Sequence, residues 1–306
     1  MEGNLTEEIV KLKSEKKAVI LAHYYTRPEV QDIADCTGDS LALAQYAERT
    51  KAEVIVFAGV HFMAETAKII NPDKRVFIPD MESRCSLADS CPEKEFESFV
   101  REHPDHKVIS YINCSAAVKV LSDVICTSGN AERIVGSYPK EQQLIFAPDC
   151  NLGSYLNRKL GREMLLWDGG CHVHYHLGEE DFLAEKERHP DAVFAAHPEC
   201  RESLLKHADF VGSTTALINF VKNDSHHTFI IATEEGILHQ IRKEVKEKEV
   251  IILKKNGNVS HCCIYMKKNS LEKIYECLKY GKNEIFMDAH IIEKARKPIM
   301  KMLSLS

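Results

Sequence analysis

Short apolar runs rich in Val, Ile and Phe alternate along the chain with stretches that have the 3.6-residue apolar spacing of helices. The runs include VIVFAGV, RVFIPD, KVIS, LIFAP, FIIAT and VIILK, and the helical stretches include SLALAQYAERT, AAVKVLSD, CRESLLKHAD and GILHQIRKEV. Continuous apolar runs of this length are typical of parallel strands that are covered on both faces. The pattern therefore predicts an α/β fold made of βα units, and it excludes a propeller or an α-solenoid.

This alternation occurs three times, and each repeat ends in a cysteine. The first repeat runs from AVILAHYY to Cys85, the second from KVISYINCS to Cys171, and the third from AVFAAHPEC to Cys262 and Cys263. Cys85 and Cys171 are 86 residues apart, and Cys171 and Cys263 are 92 apart, so the cysteines recur at about the length of the repeat. The sequence thus predicts three similar units with one candidate metal ligand each. Spacing does not choose between Cys262 and Cys263.

Polar side chains follow the predicted strands of all three units. After the first strand of each unit come residues 23–25, 111–113 and 197–199, and after the second come residues 59–61, 127–130 and 212–215. Ligands of open α/β sheets bind outside the carboxyl ends of the strands, so three such edges facing one axis would enclose a single cavity. Turn formation and helix capping explain any single Ser or Thr here. They explain less well why His, Tyr and Glu occupy matching places.

Composition and charge narrow the class of protein. At 306 residues with 44% apolar side chains, the chain has enough apolar surface for buried cores. Its net charge of −6 and dispersed basic residues argue against a nucleic-acid partner. The first twenty residues lack a secretory signal and no apolar run reaches membrane-spanning length, so we expect a cytoplasmic protein without membrane contact. In that compartment eleven cysteines indicate metal ligands, catalysts or buried side chains rather than a disulfide scaffold.

The arrangement of the cysteines bears on the kind of metal site. The sequence contains no C-x-x-C pair, which is the signature of zinc ribbons and many ferredoxin clusters. Three thiolates, one from each unit, would leave a fourth coordination position open, as a catalytic metal requires. Thiolates suit both zinc and iron–sulfur clusters, and the residues alone leave both open. Cys171, His172 and His174 offer a rival zinc site, provided that this segment is extended and its alternating histidines share one face.

Candidates for acid–base chemistry stand at matching strand ends. Glu199 follows His197 and Pro198, while Tyr111 and Tyr25 hold related places in the other units. A buried carboxylate or phenol near a metal can transfer protons near neutral pH. Hydroxyls before a helical run, at Ser128 and at residues 212–214, form a natural pocket for carboxylate or phosphate. Residues 234–236 (EEG) are interpreted mainly as a helix cap, and the absence of a P-loop and of G-x-G-x-x-G leaves nucleotide binding without support.

A series of ordered blocks carries a resemblance to a known family. The blocks include LAHYY, TGDSLALA, FAGVHFMAETAKI, PDMESRCSLADSCP, SYINCSAAVK, CTSGNA, APDCNLG, WDGGCHVH, HPECRESLL, ADFVGSTT, IATEEGILH and CCIYMKK. In these the chain resembles the quinolinate synthase family, iron–sulfur enzymes of NAD biosynthesis, over nearly its whole length. The resemblance implies three similar αβα domains with small parallel sheets around a pseudo-threefold axis. We expect them at residues 1–88 plus 268–306, where the C-terminal helices return to the first domain, at 89–172, and at 173–267.

The resemblance also implies a cofactor and a set of site residues. The cofactor would be a 4Fe-4S cluster on Cys85, Cys171 and Cys263, with one iron open; Cys263 is chosen because it begins the family's C-x-x-M pattern. The implied substrate-binding residues are His23, Ser40, Tyr111, Asn113, Ser128, His197, Glu199, Ser213 and Thr214. The implied catalytic residues are Glu199, Tyr111, Tyr25 and His197. Three departures, SRC before the first ligand, Cys114 in place of Thr, and WDGGC before the second ligand, remove no ligand or acid–base group.

The implied reaction condenses iminoaspartate with dihydroxyacetone phosphate, with loss of phosphate and water, to give quinolinate. The open iron would act as a Lewis acid. The expected partners are these two small molecules and, transiently, the enzyme that produces iminoaspartate. An iron–sulfur redox protein or iron sensor without turnover is the main alternative, and a zinc hydrolase is the second.

Overall fold

The computed structural model describes residues 2–255 and 262–306, and these contain three four-stranded parallel sheets. The first sheet comprises β1 (Ala18–His23), β2 (Cys36–Gly38), β3 (Val54–Ala58) and β4 (Arg75–Phe77). The second comprises β5 (Lys107–Tyr111), β6 (Val124–Cys126), β7 (Leu144–Ala147) and β8 (Leu165–Leu166). The third comprises β9 (Val193–Ala196), β10 (Phe210–Val211), β11 (Thr228–Ala232) and β12 (Glu249–Ile252). The predicted α/β class with three similar αβα units is confirmed.

Helices flank each sheet. In the first half of the chain they are α1 (Glu2–Glu15), α2 (Pro28–Ile33), α3 (Ser40–Arg49), α4 (His61–Ile70), α5 (Ser86–Asp89), α6 (Glu93–Arg101), α7 (Ala116–Val120) and α8 (Ala131–Gly136). The second half contains α9 (Cys150–Leu160), α10 (His172–Tyr175), α11 (Glu179–Arg188), α12 (Glu202–Leu205), α13 (Thr214–Asn223), α14 (Ile237–Glu244), α15 (Leu271–Tyr280) and α16 (Ala289–Ser304). Among these described residues, no helix is both long and apolar enough to cross a membrane.

All three sheets have the same strand order, in which the first strand of the unit lies between the second and the third. The chain therefore steps to one side of the first strand and then to the other. The carboxyl end of that first strand is the switch point at which open α/β sheets bind ligands. Three such switch points, after β1, β5 and β9, fix where the site forms.

Strand β2 is a strand that the apolar pattern missed. Its sequence, Cys-Thr-Gly, is only three residues long and has no apolar run, although it pairs in parallel with β1. The prediction that residues 59–61 end a second strand is therefore wrong, because they follow β3, the third strand of their unit. The true counterpart of residues 127–130 and 212–215 is the turn at residues 38–40.

The cores lie on both faces of the sheets. Ile55, Phe146 and Phe229, on the third strand of each sheet, are fully buried, as expected for parallel strands covered by helices on both sides. One continuous apolar cluster contains residues of the first and second sheets together with α16. Burial of apolar surface contributes a stabilising free energy of about 25 cal/mol per Å², and this contribution holds these units against each other.

The two C-terminal helices have different neighbours. Helix α15 packs against α1 and β3 of the first unit, through Ile274 and Cys277. Helix α16 packs against α4 of the first unit and also against α7 and β6 of the second. The domain boundaries expected from the sequence stay a prediction.

Candidate functional site

The ends of the three first strands line one cavity. His23 ends β1 and Tyr25 follows it, Tyr111 ends β5 and Asn113 follows it, and His197 and Glu199 follow β9. The remaining lining residues are Asp39, Ser40, Val60, Phe62, Cys85, Thr127, Ser128, Cys171, Val173, His174, Thr214, Cys263 and Met266. The structure thus brings together every cluster-ligand, substrate-binding and catalytic candidate implied by the resemblance except Ser213, whereas the alternative ligands His172 and Cys262 do not line the cavity.

Hydroxyl groups reach the cavity from the turns between the second strands and the helices that follow them. Ser40 is the first residue of α3, Thr214 is the first residue of α13, and both lie on the cavity wall. Ser213 is instead the cap of α13: its hydroxyl accepts the backbone N–H of Ala216 and donates to Asp39 at 3.2 Å. Two ten-residue helices therefore direct their N-termini, the positive ends of their dipoles, toward the cavity. This arrangement favours an anionic ligand.

His23 and His197 have the same local geometry. The Nδ1 atom of His23 accepts the backbone N–H of Tyr25 at 3.1 Å, and Nδ1 of His197 accepts the backbone N–H of Glu199 at 3.4 Å. In a neutral imidazole the proton then lies on Nε2, which makes each ring a donor. Burial lowers the pKa of His23 to about 4 and that of His197 to about 3. Both rings are therefore neutral hydrogen-bond donors at neutral pH.

A hydrogen-bonded chain of buried side chains crosses the cavity wall between the units. Tyr111 donates to Oε1 of Glu199 at 2.5 Å, and Nδ1 of His174 lies 3.1 Å from Oε2 of the same carboxylate. Nε2 of His174 lies 3.0 Å from the hydroxyl of Thr233, which lies 2.7 Å from the hydroxyl of Tyr25. The chain joins residues of all three units and can move a proton between them.

The protonation states within this chain are set by burial and by close charges. Burial raises the pKa of Tyr111 well above its ordinary value, and the charge of Glu199 raises it further, so the phenol stays protonated. Burial opposes ionisation of Glu199, but His174, His197 and the Tyr111 hydroxyl outweigh it and lower the pKa of this carboxyl. Because His197 is neutral, we assign the stabilisation of the carboxylate to His174 and Tyr111. A carboxylate base and a phenol donor thus lie in direct contact.

Three cysteines, one from each unit, face the same cavity. Cys85 precedes α5, Cys171 precedes α10, and Cys263 precedes a short 3-10 turn at Met266–Lys268. All eleven cysteines lie within the described residues and all are free thiols. Burial raises the pKa of Cys85 to about 12 and that of Cys263 to about 11. Thiols that burial keeps neutral become thiolates when a metal coordinates them.

The histidine-based zinc site predicted for residues 171–176 does not form as expected. This segment is a helical turn rather than an extended strand, so His172 and His174 diverge. Nδ1 of His172 lies 2.6 Å from the hydroxyl of Ser86. Cys171, His174 and Glu199 instead bring one ligand atom each within 4.8 Å of one another.

Two site residues, Asp39 and Thr233, were not found from the sequence, and two others, His174 and Glu234, were assigned different roles. Asp39 follows the missed strand β2, and Thr233 becomes visible only through its hydrogen bonds to Tyr25 and His174. His174 was considered as a ligand of the rival zinc site, but it bonds to Glu199. Glu234 was interpreted mainly as a helix cap, and one of its oxygens does accept the N–H of Gly236 at 2.6 Å. Its other oxygen accepts the backbone N–H of Cys263 at 3.1 Å. A polar residue directly after a third strand was the available signal for Thr233 and Glu234.

The fold and the site together define an α/β enzyme whose three parallel sheets enclose one cavity with three free cysteines. The family described as "NadA: Quinolinate synthetase A protein" matches residues 7–304. A protein named quinolinate synthase from Chloroherpeton thalassium is 52% identical over 305 residues, which are 99% of this chain and 95% of that protein. One of the same name from Synechocystis sp. is 52% identical over 304 residues, covering 99% of this chain and 96% of that protein.

The chain therefore belongs to the quinolinate synthase family, enzymes of NAD biosynthesis. The resemblance inferred from the sequence blocks is confirmed.

Proposed function

We propose that this chain condenses iminoaspartate with dihydroxyacetone phosphate to quinolinate, with loss of phosphate and water. The observation that carries the proposal is the convergence of three equivalent strand ends, with their hydroxyls, imidazoles and cysteines, on one cavity. The cavity is lined by residues suited to a small anionic molecule, since two helix N-termini and two neutral donor histidines face it.

We propose that Cys85, Cys171 and Cys263 hold a 4Fe-4S cluster. The donor set fits this group, because three free thiols from three units meet at one cavity and fewer than four leave one iron open. Backbone N–H groups of the following turn favour each thiolate: those of Ala88, His174 and Met266 lower the pKa values that burial raises. When bound, the open iron would supply a Lewis acid for substrate oxygens.

Binding of iminoaspartate is assigned to the donors on the cavity wall. Ser40, Ser128 and Thr214 offer hydroxyls to the two carboxylates, and His23 and His197 offer Nε2–H groups. The Oδ1 atom of Asn113 has no hydrogen-bond partner among the described residues although it is buried, so it is free to accept an N–H or O–H of a substrate. Holding two small anions in one enclosed orientation supplies much of the acceleration.

Proton transfer is assigned to Glu199 and Tyr111, with Tyr25 in support. The ionised carboxylate of Glu199 removes a proton from the substrate, and the protonated phenol of Tyr111 returns one. Tyr25 keeps its proton because burial raises its pKa well above the ordinary value, and its hydroxyl lies 2.9 Å from that of Thr214. We assign His197 the role of a neutral donor beside Glu199.

The decisive experiment is anaerobic reconstitution with iron and sulfide, followed by an assay for quinolinate from the two proposed substrates. Glu199→Gln should bind the cluster normally and lose about 10²-fold to 10⁴-fold in turnover, the usual contribution of a general base. Cys263→Ser should lose the cluster, and its matched control Cys262→Ser should retain it.

Three results would contradict the proposal in different ways. A reconstituted cluster with a reversible potential and no turnover would favour the sensor alternative. Zinc bound in place of iron, with loss on His174→Ala, would favour a mononuclear site at Cys171, His174 and Glu199. Retention of the cluster in Cys263→Ser would exclude Cys263 as the third ligand.

A further inference from the structure

The segment that contains Cys263 lies outside all three sheets. Cys85 and Cys171 are followed directly by the helices α5 and α10, whereas Cys263 lies on a loop between β12 and α15 and is followed by a 3-10 turn. Within the described part of this loop, the N–H of Lys267 bonds to the carbonyl of Cys263 at 3.1 Å and closes one turn. The position of Cys263 therefore depends on the side chains that anchor this turn to the sheets.

Glu234 is the anchor on the third unit. It follows β11 and is fully buried. Its Oε1 atom accepts the backbone N–H of Cys263 at 3.1 Å and lies 2.9 Å from Nζ of Lys267. Its Oε2 atom accepts the backbone N–H of Gly236 at 2.6 Å. Both oxygens are therefore engaged, and the carboxylate fixes the turn at its first and last residues.

Lys267 links the same turn to the first unit. Its Nζ atom donates to the backbone carbonyl of Tyr25 at 2.7 Å while it pairs with Glu234. Its own carbonyl accepts from Nε of Arg27 at 2.7 Å. One ammonium group thus spans the strand end of the third unit and the strand end that carries Tyr25.

The backbones of the two units meet closely at this point. A Cβ atom at Gly236 would lie 2.7 Å from the carbonyl oxygen of Tyr24 and 2.8 Å from Cα of Tyr25, distances that no side chain tolerates. The Glu234–Lys267 pair therefore lies where the two units are in close backbone contact, with Glu234 bonded to Gly236 and Lys267 bonded to Tyr25.

We propose that Glu234 and Lys267 are positioning residues that hold Cys263 in place for cluster binding and set its distance from Tyr25. The inference rests on the proposed function, in which Cys263 is a cluster ligand. Without the pair, the turn loses its contacts to the first and third units that pass through these two side chains. The thiol is then presented over a wider range of positions.

The test uses the full chain with Glu234→Gln combined with Lys267→Met. Removing both charges avoids a lone buried ion, which would unfold the protein for a trivial reason. In the metal-free protein, amide hydrogen exchange of residues 262–268 should become at least tenfold faster. After reconstitution, loss of iron to a chelator should also become at least tenfold faster.

Lys13→Met is the matched control. Lys13 is as exposed as Lys267 and pairs with Asp35 at 2.8 Å in the first unit, so it tests the loss of an ion pair that does not contact the Cys263 turn. It should leave exchange at residues 262–268 and iron loss at wild-type rates. If the double variant does not fold, Glu234→Gln combined with Lys267→Gln replaces it, because both charges are still removed while the new amide can donate to the carbonyl of Tyr25.

Equal exchange rates in the double variant, the Lys13→Met variant and the wild type would overturn the inference. Faster exchange with unchanged iron loss would also overturn it, because the loop would then be ordered by the pair without serving the cluster. If the wild type takes up no cluster at all, the proposed function fails. The exchange measurement then still decides whether the pair fixes the turn.

Discussion

Replacing Tyr111 with Phe tests the contact between the phenol donor and the carboxylate base. The change removes one hydroxyl and keeps the ring, so packing against the core is preserved. The lost hydrogen bond to Oε1 of Glu199 is 2.5 Å long and lies in a fully enclosed setting. A hydrogen bond to a charged group contributes about 1.5–3 kcal/mol.

That loss has two measurable consequences. The free energy of unfolding of the metal-free protein at neutral pH should fall by about 1.5–3 kcal/mol, because the Glu199 carboxylate loses a donor that only the folded state provides. Turnover of the reconstituted protein should fall by about 10²-fold or more, because the proton donor is gone. Urea unfolding measures the first, and quinolinate formation under anaerobic conditions measures the second.

Tyr24→Phe is the matched control. Tyr24 neighbours the site in sequence, but it does not line the cavity and is only partly buried. The substitution Tyr24→Phe should lower the free energy of unfolding by at most about 0.5–1.5 kcal/mol, the contribution of a neutral hydrogen bond. It should leave turnover near that of the wild type. Turnover of Tyr111→Phe within threefold of the wild type would refute the assignment of Tyr111 as proton donor. A stability loss no larger than that of Tyr24→Phe would refute the strength assigned to its bond with Glu199.

Two further predictions concern the same wall of the cavity. Burial lowers the pKa of His23 from near 6.5 to about 4, so between these values the unfolded chain binds a proton that the folded chain does not. Stability should therefore be complete above pH 6.5 and decline as the pH falls toward 4, by on the order of 3 kcal/mol from this group. The urea midpoint of unfolding should decline less with falling pH in His23→Gln than in the wild type. The control His290→Gln, at an exposed position, should follow the wild type. The same pH dependence of the midpoint in all three proteins would contradict the argument that burial lowers the pKa of His23. Thr233→Val keeps the side-chain volume but removes the hydroxyl between Tyr25 and His174. Turnover should fall about tenfold, as expected for the loss of one hydrogen bond of about 1.4 kcal/mol, and the iron content should not change. Wild-type turnover would show that this hydroxyl is not part of the proton path.

The repeated units were predictable because they depend on local composition. Runs such as VIVFA and LIFA have the continuous apolar character that parallel strands need, and this character does not depend on distant residues. Strand β2 was not predictable in this way, since its three residues pair through the backbone and carry no apolar signal. Because β2 was missed, residues 59–61 were wrongly matched to residues 127–130 and 212–215. The positions of Ser128 and Thr214 at the cavity were nevertheless predicted.

The sequence by itself determined the α/β class, the threefold repetition and the kinds of side chain at the strand ends, because periodicity and residue type are local properties. Only the tertiary structure decided that His23 and His197 are neutral donors and that His174 joins Glu199 to Thr233. It also decided that Glu234 holds the backbone of Cys263 rather than merely capping a helix. These features depend on burial and on contacts between residues from different units, and a linear pattern contains neither.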